Sequence, residues 1–169
     1  MQITHDVEHR VDELTGRLLA EHLGEQTRDF LGAQFDAGLA FVWFPEGHGG
    51  LGASPALQRT VNQRIVEAGG PIPPLGIGHG MAAPTIAAHG TDEQRRHWLR
   101  PLFTGEEVWC QLFSEPGAGS DVASLATTAI RTATSGSSTV RRCGRASPIS
   151  RAGDCSSRAP IPTSRSTGA

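Results

Sequence analysis

Between Thr132 and Ala169 the chain contains no Leu, Phe, Trp or Met. Six arginines (Arg141, Arg142, Arg145, Arg151, Arg158 and Arg165) face a single acid, Asp154, and most of the remainder is Ser, Thr, Ala, Gly and Pro. Such a segment cannot bury enough apolar area to offset the entropy lost on ordering, so 132–169 is expected to be a disordered basic tail. Any hydrophobic core must come from the preceding residues, which suffice for one domain or little more.

Within that part, periodicity points to helices. Val7, Val11, Leu14 and Leu18 recur at helical spacing and predict an amphipathic helix from Val7 to Leu23. Phe30, Leu31 and Phe35 predict a second, closed near Gly38. The stretch FVWFPEGHGGLG then breaks regularity with Pro45 and four glycines. Ser54-Pro55 is an N-cap followed by a first-turn proline, with Leu57, Val61 and Ile65 on one face. IPPLGIGHG reads as turn, and MAAPTIAAHG as helix. TDEQ, Thr91 to Gln94, is a capping box for a helix through Leu99, with Pro101 expected to end it. VWCQLF, from Val108, has strand composition. The organisation expected is a helical domain over 1–107, the start of a β domain over 108–131, and the tail over 132–169.

Several function classes find little support. The formal net charge is −2, which gives the whole chain no basic field for nucleic acid. No apolar run is long enough to cross a bilayer, and the charged N-terminus lacks a signal-peptide centre, so a cytoplasmic location is expected. Cys110, Cys143 and Cys155 have no metal spacing. His48, His79, His89 and His97 are scattered, so solvated or capping roles are expected and no metal site. Trp43, Trp98 and Trp109 are expected in the core or an interface, and Cys110 as a small core hydrophobe. GHGGLG, Gly47 to Gly52, fits the dinucleotide fingerprint in letters, but it lacks the strand before and the βαβ unit around it.

The most informative stretch is WCQLFSEPGAGSD, Trp109 to Asp121. A strand-like run ends at Pro116, and Gly117 and Gly119 remove side-chain bulk where main chain must approach another group closely. Gln111 to Asp121 resembles the flavin-binding segment of the acyl-CoA dehydrogenase family, whose pattern is T/S-E-P-x-A-G-S-D. FPEGHGGLG, Phe44 to Gly52, is similar to that family's early glycine turn, and Gly90 to Glu106 to its helix and linker before the barrel.

The resemblance implies a mainly α fold: the N-terminal helical domain of an acyl-CoA dehydrogenase, plus the first strand of a truncated middle β-barrel domain. It implies FAD as cofactor and an acyl-CoA thioester as substrate, with an electron acceptor and a homo-oligomeric assembly in an intact relative. It places Gln111, Phe113 and Ser114 along the flavin ring and Gly119 and Ser120 near the pyrophosphate, with Ser120 also near the acyl-CoA. Gln111 is polar where the family often carries an aromatic. Glu115 and Asp121 are expected to pair with turn N–H groups. The family's catalytic Glu lies in a later helical domain, so no catalytic residue is assigned in this chain. A related flavin oxidase or monooxygenase of the same superfamily shares these motifs, and a non-enzymatic helical interaction protein with a basic tail is the contrasting alternative.

The tail has a further reading. Shifting the frame by one base from Arg131 permits the strings DGDEWVVNGQKVWTS and ARTDPDVPKHRG. Both have β-like patterning, with NG as a hairpin turn, and the first resembles the family's V-x-N-G-x-K-x-W element. The sequence as it stands is thus expected to be a frameshifted fragment without dehydrogenase activity.

Overall fold

The computed structural model describes residues 2–73, 76–109, 120–121, 123, 128–132 and 135–139. The chain divides into two compact units, Met1–Trp109 and Cys110–Ala169. The first unit contains helices and turns, with no strand among its described residues.

Helix α1 spans Gln2–His22 and buries Val11, Thr15 and Leu18, with Val7, Leu14 and Leu19 packed at the edge of the core. The face predicted from the apolar spacing is the face buried. Thr15 is a polar member of it, and its hydroxyl donates to the Val11 carbonyl at 2.7 Å. Helix α2, Thr27–Asp36, sends Phe30, Leu31 and Phe35 inward. After it, Leu39 to Phe44 run without regular structure and bury every residue but Trp43. Their backbone groups are paired with the returning glycine loop: Phe41 N–H donates to Gly49 O (2.9 Å), and the Leu51 and Ala53 N–H groups to Val42 O (3.0 and 2.9 Å). Gly50 allows this close approach, because a Cβ there would press on the carbonyl oxygens of Phe41 and Phe44.

Helix α3, Leu57–Glu67, starts two residues after the Ser54-Pro55 cap read from the sequence. Those two residues instead enter a turn in which Leu57 N–H donates to Ser54 O at 3.0 Å. Val61 and Ile65 are buried on the expected face. Part of the predicted turn 72–80 is helical instead. A π-helical turn, Gly78–Ala82, leads into α4, Ala83–His89, where Pro84 occupies the first turn.

Helix α5, Asp92–Thr104, has the full capping box: Gln94 N–H donates to Thr91 Oγ1 (3.2 Å), and Thr91 N–H to Gln94 Oε1 (2.8 Å). Pro101 lies inside α5 and does not end it. Proline deprives the carbonyl four residues back of its donor, but His97 is exposed, where water can serve that carbonyl. Leu99, Leu102 and Phe103 meanwhile bury fully around the proline. The helix stops at Gly105, whose left-handed backbone (φ 74°) is a common helix ending.

Val108 and Trp109, expected to begin a strand, are irregular, and residues 110–119 lie outside the described residues. In the second unit, β1 (Thr128–Thr132) and β2 (Ser135–Thr139) form an antiparallel hairpin with Ile130 opposite Ser137. Strand β2 lies within the segment 132–169.

Among the described residues no helix is long and apolar enough to cross a membrane.

Candidate functional site

Of the residues that the sequence nominates for flavin, Gln111, Phe113, Ser114 and Gly119 lie outside the described residues. Ser120 is described, exposed and in a bend. The next residue is Asp121, whose Oδ1 accepts from Ala123 N–H at 3.1 Å. Asp121 thus pairs with a nearby backbone N–H, as expected of it.

The built feature of the first unit is an aromatic cluster below a surface pocket. Phe41 stacks on Phe44 (ring centroids 4.4 Å apart, 18° between planes) and meets Phe103 edge-on at 5.3 Å. Trp43 meets Phe41 and Phe44 edge-on at 5.7 and 5.3 Å. These are the preferred geometries of ring pairs. The cluster exists because the irregular Leu39–Phe44 segment is tied to the glycine loop behind it, and α5 carries Phe103 onto it.

A cavity of ≈ 230 Å³ sits over these rings. Buried Gln34, Ala40, Phe41 and Phe103 form its floor, and exposed Trp43, Asn62, Gly76 and Gly80 its rim. Its wall is held by amides. Gln58 Oε1 accepts from Val42 N–H (2.8 Å), while Gln58 Nε2 donates to Leu39 O (3.1 Å) and to Asn62 Oδ1 (3.0 Å). Gln34 Nε2 donates to Leu39 O (3.1 Å), and Gln34 Oε1 is buried with no partner.

His79 also lines the cavity, half-buried, with its ring 5.6 Å from Phe103 and 6.1 Å from Phe41. A solvated or capping role was expected for it; it is only partly solvated, and its ring nitrogen meets the Phe103 carbonyl in the last turn of α5. Desolvation pushes its pKa below the ordinary 6.5, partly opposed by the hydrogen bond between Nε2 and Phe103 O at 3.4 Å. Of the other histidines, His89 and His97 are exposed, and His48 is half-buried with a buried, unpartnered Nδ1. Among the described residues no group of three or more His, Cys, Asp or Glu is placed to hold a metal ion. No sequence signal singled out Gln34, Gln58 or His79, because their convergence depends on three separate segments meeting.

The glycine loop that resembles a dinucleotide fingerprint is a bend. Gly47, Gly49 and Gly52 have positive φ, and the loop follows irregular backbone and not a strand. A shallow cleft of ≈ 460 Å³ between this loop and α1 is bordered by Arg10 and Glu46, paired at 2.8 Å.

The family model described as the acyl-CoA dehydrogenase N-terminal domain matches residues 7–106, most of the first unit. The chain belongs to the acyl-CoA dehydrogenase family. Acyl-CoA dehydrogenase FadE34 of Mycobacterium tuberculosis is 50% identical over 96 residues, covering 57% of this chain and 13% of that protein. Acyl-CoA dehydrogenase IpdE1 of the same organism is 43% identical over 93 residues, covering 55% and 24% respectively. The chain thus matches less than a quarter of the length of these curated relatives. A solved acyl-CoA dehydrogenase from Geobacillus kaustophilus superposes with a TM-score of 0.48 at 29% identity, over 78% of this chain and 33% of that one.

Within this family, the described helices, α1 to α5, are the N-terminal domain.

Proposed function

We propose that the chain is the N-terminal part of an FAD-dependent acyl-CoA dehydrogenase, an oxidoreductase that introduces an α,β double bond into an acyl-CoA thioester. One observation carries this reading: the family match over residues 7–106 runs straight into SEPGAGSD at Ser114–Asp121. When bound, FAD supplies the acceptor for the hydride leaving the β-carbon.

The chain's own share is to bind and orient. Gln111, Phe113 and Ser114 would lie along the flavin ring, and Gly119 and Ser120 beside the pyrophosphate. An exposed serine hydroxyl in a bend is suited to donate to a phosphate oxygen, and the described position of Ser120 is compatible with that. Ser120 would also touch the acyl-CoA. An intact version would be cytoplasmic and homo-oligomeric and would pass electrons to a separate acceptor.

The composition of 132–169 supports a further part of the reading, that this segment is translated out of frame. Out of frame, 132–169 does not supply the strands that its shifted reading would, and an isolated strand pair is marginal in water. The 169-residue chain is expected to hold FAD weakly and to oxidise no acyl-CoA. The test is a repaired gene, restored by one base near the Ile130–Thr132 codons, purified beside the original chain. Flavin absorbance with the repaired protein alone supports both parts. Stoichiometric FAD on the 169-residue chain refutes the out-of-frame reading, and a repaired, folded protein without flavin refutes the dehydrogenase reading.

A further inference from the structure

The geometry points to a small-ligand site over Phe41 and Phe103, taking a neutral planar ring system of one or two rings that carries a single N–H or O–H donor. Its lining residues all belong to the first unit. Three observations carry it.

The first is size. A cavity of about 150 Å³ suffices to take up benzene in an engineered core, and this one, at ≈ 230 Å³, has room for a bicycle. It remains below the range of drug-sized pockets, about 300–1,000 Å³. The second is shape and rigidity. The floor is aromatic, the rim carries Trp43, and the Gln58 amide is fixed by three hydrogen bonds, so the space is already formed. Preformed, mostly apolar pockets with a few placed polar groups are the usual form of small-molecule sites.

The third is the polarity of what remains unpaired. With Nε2–H of His79 donating to the Phe103 carbonyl, Nδ1 keeps its lone pair and has no partner among the described residues. Gln34 Oε1, at the floor, is a second acceptor without a partner. Both groups accept, and among the described lining residues there is no carboxylate or guanidinium. The site therefore favours a donor on an uncharged ring over a cation or an anion. His79 is the residue that reads the donor, because it lines the cavity and is only half-buried, while Gln34 Oε1 is fully buried.

The probes are indole and benzofuran, which share a shape and differ in one N–H. Each is titrated calorimetrically into the 169-residue chain and into His79→Phe, which keeps an aromatic ring between Phe41 and Phe103. Saturable 1:1 binding of indole is expected, about fivefold to tenfold tighter than benzofuran, the worth of one net hydrogen bond. In the variant the preference is expected to fall below about twofold, with thermal unfolding still cooperative. Equal affinity of the two probes, absence of saturable binding, or a preference that survives His79→Phe overturns the assignment. If the variant does not fold, the decision rests on the unaltered chain: bound indole must shift the Trp43 side-chain N–H resonance more than those of Trp98 and Trp109, and an equal or smaller shift also overturns it.

Discussion

Phe103 offers the sharpest test of how the first unit is held together. It is fully buried near the end of α5 and touches three rings: Phe35 at 6.1 Å, Phe41 at 5.3 Å and His79 at 5.6 Å. Truncating a buried phenylalanine to alanine costs about 3–5 kcal/mol, the transfer term plus the cavity it leaves. Ring pairs contribute about 0.5–1.5 kcal/mol each beyond area, so Phe103→Leu, which keeps most of the volume, is expected to cost about 1–2 kcal/mol. A domain of this size is stable by only about 5–10 kcal/mol, so Phe103→Ala removes a large part of the total. The assay is urea unfolding of the full chain, followed by tryptophan fluorescence and far-ultraviolet circular dichroism. With a slope of about 1.5 kcal/mol per molar, the alanine variant's midpoint falls by about 2 M or more and the leucine variant's by about 1 M. An alanine midpoint within about 0.5 M of the unaltered chain would refute the claim that this cluster anchors the fold. Equal losses for the two variants would show that ring contacts, and not volume, carry the energy.

Four further outcomes follow from individual contacts. Thr91→Ala removes the hydroxyl of the α5 capping box and should cost about 1 kcal/mol, read as a lowered thermal midpoint. Gly50→Ala forces a Cβ against the Phe41 and Phe44 carbonyl oxygens, which belong to a hydrogen-bonded backbone that cannot easily yield; a loss of about 2–3 kcal/mol in urea titration is expected. Asp36→Ala breaks both hydrogen bonds to Arg100, each 2.9 Å, yet the pair is largely exposed; the loss should stay below about 1 kcal/mol and shrink further in 1 M salt. His79 has a folded-state pKa below its unfolded value of 6.5, so below that pH the unfolded chain binds the extra proton first. Stability is thus fully present above pH 6.5 and lost as pH falls through the folded pKa. Thermal midpoints between pH 8 and 5 should show that drop, and His79→Phe should flatten it.

How much of this was legible in the sequence depended on how local each signal is. The inward faces of α1, α2 and α3 were readable because Val11, Leu18, Phe30, Leu31, Val61 and Ile65 recur with the helix's own period. The Thr91–Gln94 cap was readable because both partners lie three residues apart. Pro101 misled because the rule that proline ends a helix ignores what Leu102 and Phe103 gain by burying together. Ser54-Pro55 misled by two residues, since a turn competed for the same cap. His79 could not be placed at all, since glycines flank it on both sides and no apolar period runs through them.

The amino-acid order alone pointed to helices as the builders of the first unit's core and displayed, at Gln111–Asp121, the segment that resembles the acyl-CoA dehydrogenase pattern. These are matters of composition, short-range periodicity and contiguous motif, all contained within a few turns of chain. Only the tertiary structure decided that α5 continues through its proline, that a π-helical turn precedes α4, and that Gln34, Gln58 and His79 gather around one cavity. Those outcomes depend on side chains distant in sequence sharing one desolvated volume, and no local preference carries that information.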